Sequence, residues 1–345
     1  MYMGNMRERD IGIDIVKTIA VFGVVLIHVS AVSFPADILS RGWALNLFWA
    51  SVSRASVPLF LMCTGALFLG GDREVSAKKI WSKNMVRIIV SLFFWAFAYG
   101  LFRMAINGES VNGGIMTLLR NVAFFKHENH LYYLHMVILI YALLPIISVF
   151  FRNADKKLVM YALAVWYVTA VVYSTLRPFY PLSELSGIPV QWQLNSAYGS
   201  VGYVLLGAFL KKDPMKKSTA VLSLIAGFAV VYGITLFASR ADGKLYSNFL
   251  EGMSIGVSLM AAGIYSLCAN AVPKKFLRFF TALSKSSFCI YLTHMFAVIA
   301  LGGAISRLNR IAFVSVPIIA VAVMCLSFCV YLVLSRIPIV KKWII

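Results

Sequence analysis

Residues 14–30 read DIVKTIAVFGVVLIHVS. Between Lys17 and His28 stand ten residues of which only Thr18 is polar, and the apolar run extends on both sides to cover about 12–34. A helix crosses the hydrocarbon of a bilayer in roughly 20 residues. The stretch therefore predicts a membrane-spanning helix. It lacks an A-x-A-like cleavage site after the run, so it is expected to stay as the first helix instead of leaving as a signal peptide.

The same pattern repeats along the chain. Further candidate spans lie at about 45–70, 85–107, 131–151, 158–176, 195–210, 218–239, 250–271, 286–305 and 311–335. The composition agrees: 61% of the 345 residues are hydrophobic and only 13% charged, with a mean hydropathy of +0.83. Soluble domains carry about a quarter of charged residues, so this chain has too few to cover a water-facing surface. The expected class is all-α, a polytopic integral membrane protein of about ten transmembrane helices.

The net charge of +19 would suggest nucleic acid in a soluble protein. Here the Lys and Arg sort by side instead. With the N-terminus inside, twenty of the 32 fall on the cytoplasmic side, Arg7, Arg73 and Lys274 among them, and nine on the other. Lys17, Arg54 and Arg87 lie within spans. That bias places both termini in the cytoplasm and removes nucleic acid as a partner, leaving membrane lipids. No loop is long enough for a soluble domain, so residues 1–345 form one membrane domain. The longest loop, 108–130, has room for a short re-entrant or interfacial helix. The five cysteines all lie in apolar runs, with no C-x-x-C metal site; Cys325 and Cys329 read as lipid-buried.

Ionisable residues inside spans are costly, about 2.5–3.5 kcal/mol at mid-bilayer on insertion scales, and so are functional candidates. Lys17 and His28 are eleven residues apart, three turns plus about 20°, so they share one helix face about 16 Å apart along the axis. Asp14 is placed to pair with Lys17, whose side chain can also reach the headgroups. His28 lies deeper, and an imidazole there can act as general base toward a hydroxyl. Arg54 falls in a span that also holds Pro58, whose missing N–H leaves a carbonyl for neighbours to satisfy. Arg87 follows a basic stretch, KKIWSKNMVR, suited to anchoring at headgroups or to meeting phosphates. In KHENHLYYLH, His127 and His130 flank Glu128 without the helical spacing of an H-E-x-x-H zinc site, and no metal is expected. His130 stands beside Tyr132 and Tyr133 in an interfacial aromatic belt, and His294 lies within span 9. Walker A, dinucleotide-binding and G-x-S-x-G signatures are absent.

Together these segments resemble the acyltransferase 3 family of bacterial membrane proteins, in particular its enterobacterial common antigen O-acetyltransferase-like branch. The resemblance covers nearly the whole chain. It rests on Lys17-x10-His28 preceded by Asp14, and on RASVPLFLMCTGALFL through Arg54, Pro58, Phe60 and Gly65. It continues in HLYYLHMVILIYALLP through His130, Leu131, Leu134, Tyr141 and Pro145, then in GYVLLG, and in LSKSSFCIYLTH through Ser284, Tyr291 and His294. The family's R-x-x-R at the third helix reads Asn84-Met-Val-Arg87 here, with Lys83 adjacent.

The resemblance implies a membrane-bound O-acyltransferase of the bacterial inner membrane. It would move an acyl group, acetyl above all, from cytoplasmic acyl-CoA to a hydroxyl of a cell-surface or lipid-linked glycan. On that expectation His28, Lys17 and Asp14 are catalytic, with His28 the base. Arg54, Lys83 and Arg87 bind the donor, and His130, Tyr133 and His294 the acceptor. The rival is a secondary transporter of a small solute such as an amino acid, since ten helices with buried charges also describe a carrier. No paired inverted repeat supports that rival.

Overall fold

The computed structural model describes residues 9–35, 37–71, 75–108, 111–185, 196–273 and 275–345. Arg7, Arg73 and Lys274 of the charge count lie outside the described residues. The described residues are helices joined by turns, and nine helical stretches among them are long and apolar enough to cross a membrane, with Arg41–Leu69 and Asn248–Cys268 each taken as one.

In chain order the helices are α1 (Ile11–Ser33), α2 (Arg41–Ser53), α3 (Ser56–Leu69), α4 (Ala77–Asn107) and α5 (Val111–Ala123). Then come α6 (Tyr132–Asn153), α7 (Lys156–Leu176), α8 (Ser196–Lys212), α9 (Lys217–Asp242) and α10 (Ile255–Cys268). The chain ends with α11 (Leu277–Ala300), α12 (Ala312–Leu334) and the short α13 (Pro338–Trp343). Helix α8 matches the sixth span of the sequence reading but has 17 residues, just under a full crossing. Helix α5 fills the longest loop with an amphipathic helix that rests on α4. It buries Leu118 while Met116 and Leu119 stay exposed, as an interfacial helix requires.

Helix α1 is the centre of the bundle, packed on α2, α3, α11 and α12. Asp10 caps its start by accepting from the Ile13 amide at 3.2 Å. Helices α3 and α8 meet backbone to backbone, which small residues permit inside a membrane. A Cβ at Gly65 would collide with the Val204 carbonyl oxygen, and one at Gly207 with the backbone of Met62.

The second span, Arg41–Leu69, stands as one candidate crossing, but helical hydrogen bonding lapses at Arg54 and Ala55, between α2 and α3. The cause is local: Pro58 has no N–H to give the Arg54 carbonyl four residues back, and helical pairing resumes with the Leu59 amide donating to Ala55 at 2.9 Å. Pro317 in α12 does the same to Phe313, whose carbonyl accepts instead from the Trp49 indole at 3.1 Å.

Candidate active site

Three histidines from distant parts of the chain meet beside one cavity. His28 comes from α1. His130 comes from the single turn Asn129–Leu131 that leads into α6, and His294 from the middle of α11. Their ring centroids are 5.0 Å apart for His28 and His294, 5.6 Å for His130 and His294, and 6.1 Å for His28 and His130. His294 is fully buried and His130 nearly so.

Aromatic residues hold the cluster in place. The Tyr291 hydroxyl donates to the His130 carbonyl at 2.5 Å, and the Tyr99 hydroxyl to the Leu292 carbonyl at 2.8 Å. Tyr99 meets His130 edge to face at 4.8 Å and stacks on Phe296 at 4.0 Å. These contacts tie α4 and α11 to the turn carrying His130. Both His130 ring nitrogens and Nε2 of His294 have no hydrogen-bond partner among the described residues.

The cavity has a volume of about 1110 Å³. His28, Arg54, His130, Tyr132, Tyr133 and Glu251 line its polar part, and it continues between α6, α7 and α8 along apolar side chains such as Ile147 and Phe150. Arg54 sits in the α2–α3 break and lines the cavity. Its Nε is buried without a partner among the described residues, and Glu251 and Tyr132 lie within its electrostatic reach. A guanidinium held this way is available to an anion or a developing oxyanion. Tyr133 stands against Phe60 and Tyr291, with centroids at 6.0 and 5.3 Å.

The other expected site residues lie elsewhere. Lys17 does not line the cavity; it lies near Cys63, within electrostatic reach. Asp14 pairs with Arg9 instead of Lys17, through contacts of 2.5 and 2.9 Å, and accepts from Thr281 at 3.3 Å. The forked guanidinium reaches both carboxylate oxygens from outside the helix, which a lysine cannot match. Arg87 donates to the Ile345 carbonyl and lies 5.4 Å over the Phe288 ring. Beside it Ser91 and Trp95 bond the Ile344 carbonyl at 3.0 and 3.1 Å. Lys83 is exposed on the same helix, and neither it nor Arg87 lines the cavity. His294 stands one layer behind His28, outside the cavity wall.

Two relationships escaped the sequence reading. Glu251, a cavity residue, was hidden at the edge of an apolar run; a carboxylate at a span end in a chain with only 13 acidic residues was the available signal. In KHENHLYYLH the histidines that pair are His127 and His135, Nε2 to Nε2 at 2.9 Å. His130 turns inward, and Glu128 is held by Arg103 at 2.7 Å.

A family model described as an acyltransferase domain matches residues 10–336. No curated protein matches the chain, and no solved structure does.

Proposed function

Since the chain belongs to the acyltransferase 3 family, and is a multi-pass membrane protein, we propose that it moves an acyl group from acyl-CoA to a glycan hydroxyl. The acyl group is acetyl above all, and the glycan is at the cell surface or linked to lipid. The observation that carries this reading is that His28, Arg54 and His130 line one cavity, with His294 packed against His28.

In this reading the membrane is the bacterial inner membrane, with both termini in the cytoplasm. The acceptor hydroxyl enters the cavity and gives its proton to His28, so that its oxygen attacks the thioester carbon. Arg54 stabilises the oxyanion that forms, a contribution worth about 10²–10³ in kcat for a single donor at such a site. Tyr133 and His130 line the wall against which the sugar lies. Lys17 stands about 16 Å along α1 from His28 and, with Lys83 and Arg87, offers cations to the CoA phosphates. Arg87 must then exchange its contact with Ile345 for the donor. Asp14 serves the donor end through Arg9.

The test is to incubate membranes containing the protein with acetyl-labelled acetyl-CoA and identify what becomes labelled. Label in a carbohydrate, lost on His28→Ala in a correctly inserted protein, is the expected result. Label retained in His28→Ala removes His28 from the chemistry. Solute uptake by proteoliposomes without acyl-CoA, and no labelled carbohydrate, would replace the acyltransferase reading with a carrier.

A further inference from the structure

We propose that His294 is the positioning partner of His28: once the His28 ring turns edge-on to it, its Nε2 accepts an N–H of His28 and so holds the opposite His28 nitrogen, unprotonated, toward the cavity. The catalytic consequence rests on the acyl-transfer reading; the pairing itself does not.

The hydrogen bonds of His294 define its tautomer. Its Nδ1 lies 2.7 Å from the Tyr291 carbonyl oxygen and 3.2 Å from that of Ile290. Carbonyl oxygens only accept, so Nδ1 carries the proton and a neutral ring has its lone pair on Nε2. That Nε2 is buried and has no partner among the described residues. A buried acceptor without a donor is costly, and the rings of the other two histidines stand within 6 Å of this one. His28 is the nearer, with centroids at 5.0 Å and planes at 46°, against 5.6 Å and 80° for His130. The two rings are not hydrogen-bonded as they stand, but rings with centroids 5.0 Å apart bring two nitrogens to about 2.7–3.0 Å when turned edge to edge.

His28 also lines the cavity, which His294 does not, so His28 stands between the substrate space and His294. Serine hydrolases orient their base by the same logic, with a carboxylate in the place that a neutral imidazole takes here.

The step balances as follows. The acceptor hydroxyl passes its proton to the cavity-facing nitrogen of His28 while its oxygen bonds to the thioester carbonyl carbon. Collapse of the tetrahedral intermediate breaks the carbon–sulfur bond, and His28 returns the proton to the departing thiolate, releasing a thiol. His294 stays neutral throughout, and its bond to His28 is strongest while His28 is an imidazolium.

The test uses the full chain, labelled with ¹⁵N-histidine, in lipid nanodiscs without substrate. His28 is assigned by its disappearance in His28→Asn. The ¹⁵N spectrum is expected to show His294 protonated on Nδ1 and His28 as one neutral tautomer. His294→Leu should leave His28 as a mixture of both tautomers and lower kcat by about 100-fold, the scale of a misdirected general base, with both KM values unchanged. His294→Gln, which restores an acceptor near the Nε2 position, should recover the single tautomer and most of the rate. A single His28 tautomer in folded His294→Leu would overturn the proposal, as would mixing caused by His130→Leu instead. Should His294→Leu not fold, the wild-type spectrum decides: a mixed His28, or a His294 protonated on Nε2, overturns it. A wild-type protein with the expected tautomers but no acyl transfer refutes the functional reading alone.

Discussion

Tyr291 on α11 donates its hydroxyl to the backbone carbonyl of His130 at 2.5 Å, so the turn that carries one site histidine is fastened by the helix that carries another. Tyr291 is buried.

Tyr291→Phe keeps the ring and deletes this donor. It leaves the His130 carbonyl unsatisfied, at a cost of about 1–3 kcal/mol. Thermal unfolding in detergent should show a lower Tm, and acyl transfer should slow by about tenfold as His130 loses its fixed position. Unchanged Tm and rate would show that the turn holds without the bond.

Arg54→Lys keeps the charge at the α2–α3 break but loses the fork. If Arg54 meets an oxyanion that exists only in the transition state, kcat falls by about 10²-fold or more while both KM values stay near wild type. A rise in the donor KM at constant kcat would instead assign Arg54 to ground-state binding. Steady-state kinetics in both substrates separates the two.

Arg87→Ala removes a cation from the end of α4 where the donor is expected. The donor KM should rise by about tenfold with kcat nearly unchanged, the pattern of lost uniform binding. Because Arg87 also holds the Ile345 carbonyl, proteolysis should detect a loosened α13. An unaltered donor KM would place the CoA phosphates elsewhere.

Gly65→Leu puts a side chain where the α3 backbone touches α8. The helices would have to separate, and overpacking of this kind costs about 1–3 kcal/mol or more. The variant should be extracted in lower yield and unfold at lower temperature, with catalysis reduced in proportion to folded protein. Size-exclusion profiles and Tm in one detergent measure this.

Much of this structure was legible in the sequence because hydropathy is a long, repetitive signal. The spans, the interfacial helix in the longest loop and the intramembrane positions of His28 and Arg54 all follow from runs of apolar residues and the few polar groups that interrupt them. The break at Arg54 was half legible. Pro58 announces a freed carbonyl, yet whether a helix kinks or ends there depends on what packs around it. Pro145 sits inside the continuous helix α6, whereas Pro58 is accompanied by a two-residue lapse in helical hydrogen bonding at Arg54 and Ala55.

Pairing was not legible. Asp14 and Lys17 are neighbours on a helix surface, but the competing partner, Arg9, approaches from outside the periodic segment. Likewise the rotation of α11 that brings His294 behind His28 depends on its contacts with α1, and a single sequence records no distance between residues so far apart in the chain.

The three histidines have a consequence for how the protein is made. Membrane helices insert in order as the chain is synthesised, at about 5–20 residues per second, so His28 and Arg54 are in place on the order of tens of seconds before α11 arrives. During that interval the break between α2 and α3 and the turn before α6 have no Tyr291 or His294 to meet. Assembly of the site is therefore a late event in biogenesis. Chains that stall before α11 would hold most of the bundle without its chemistry, and the apolar surface awaiting that helix is what a membrane chaperone or protease would recognise.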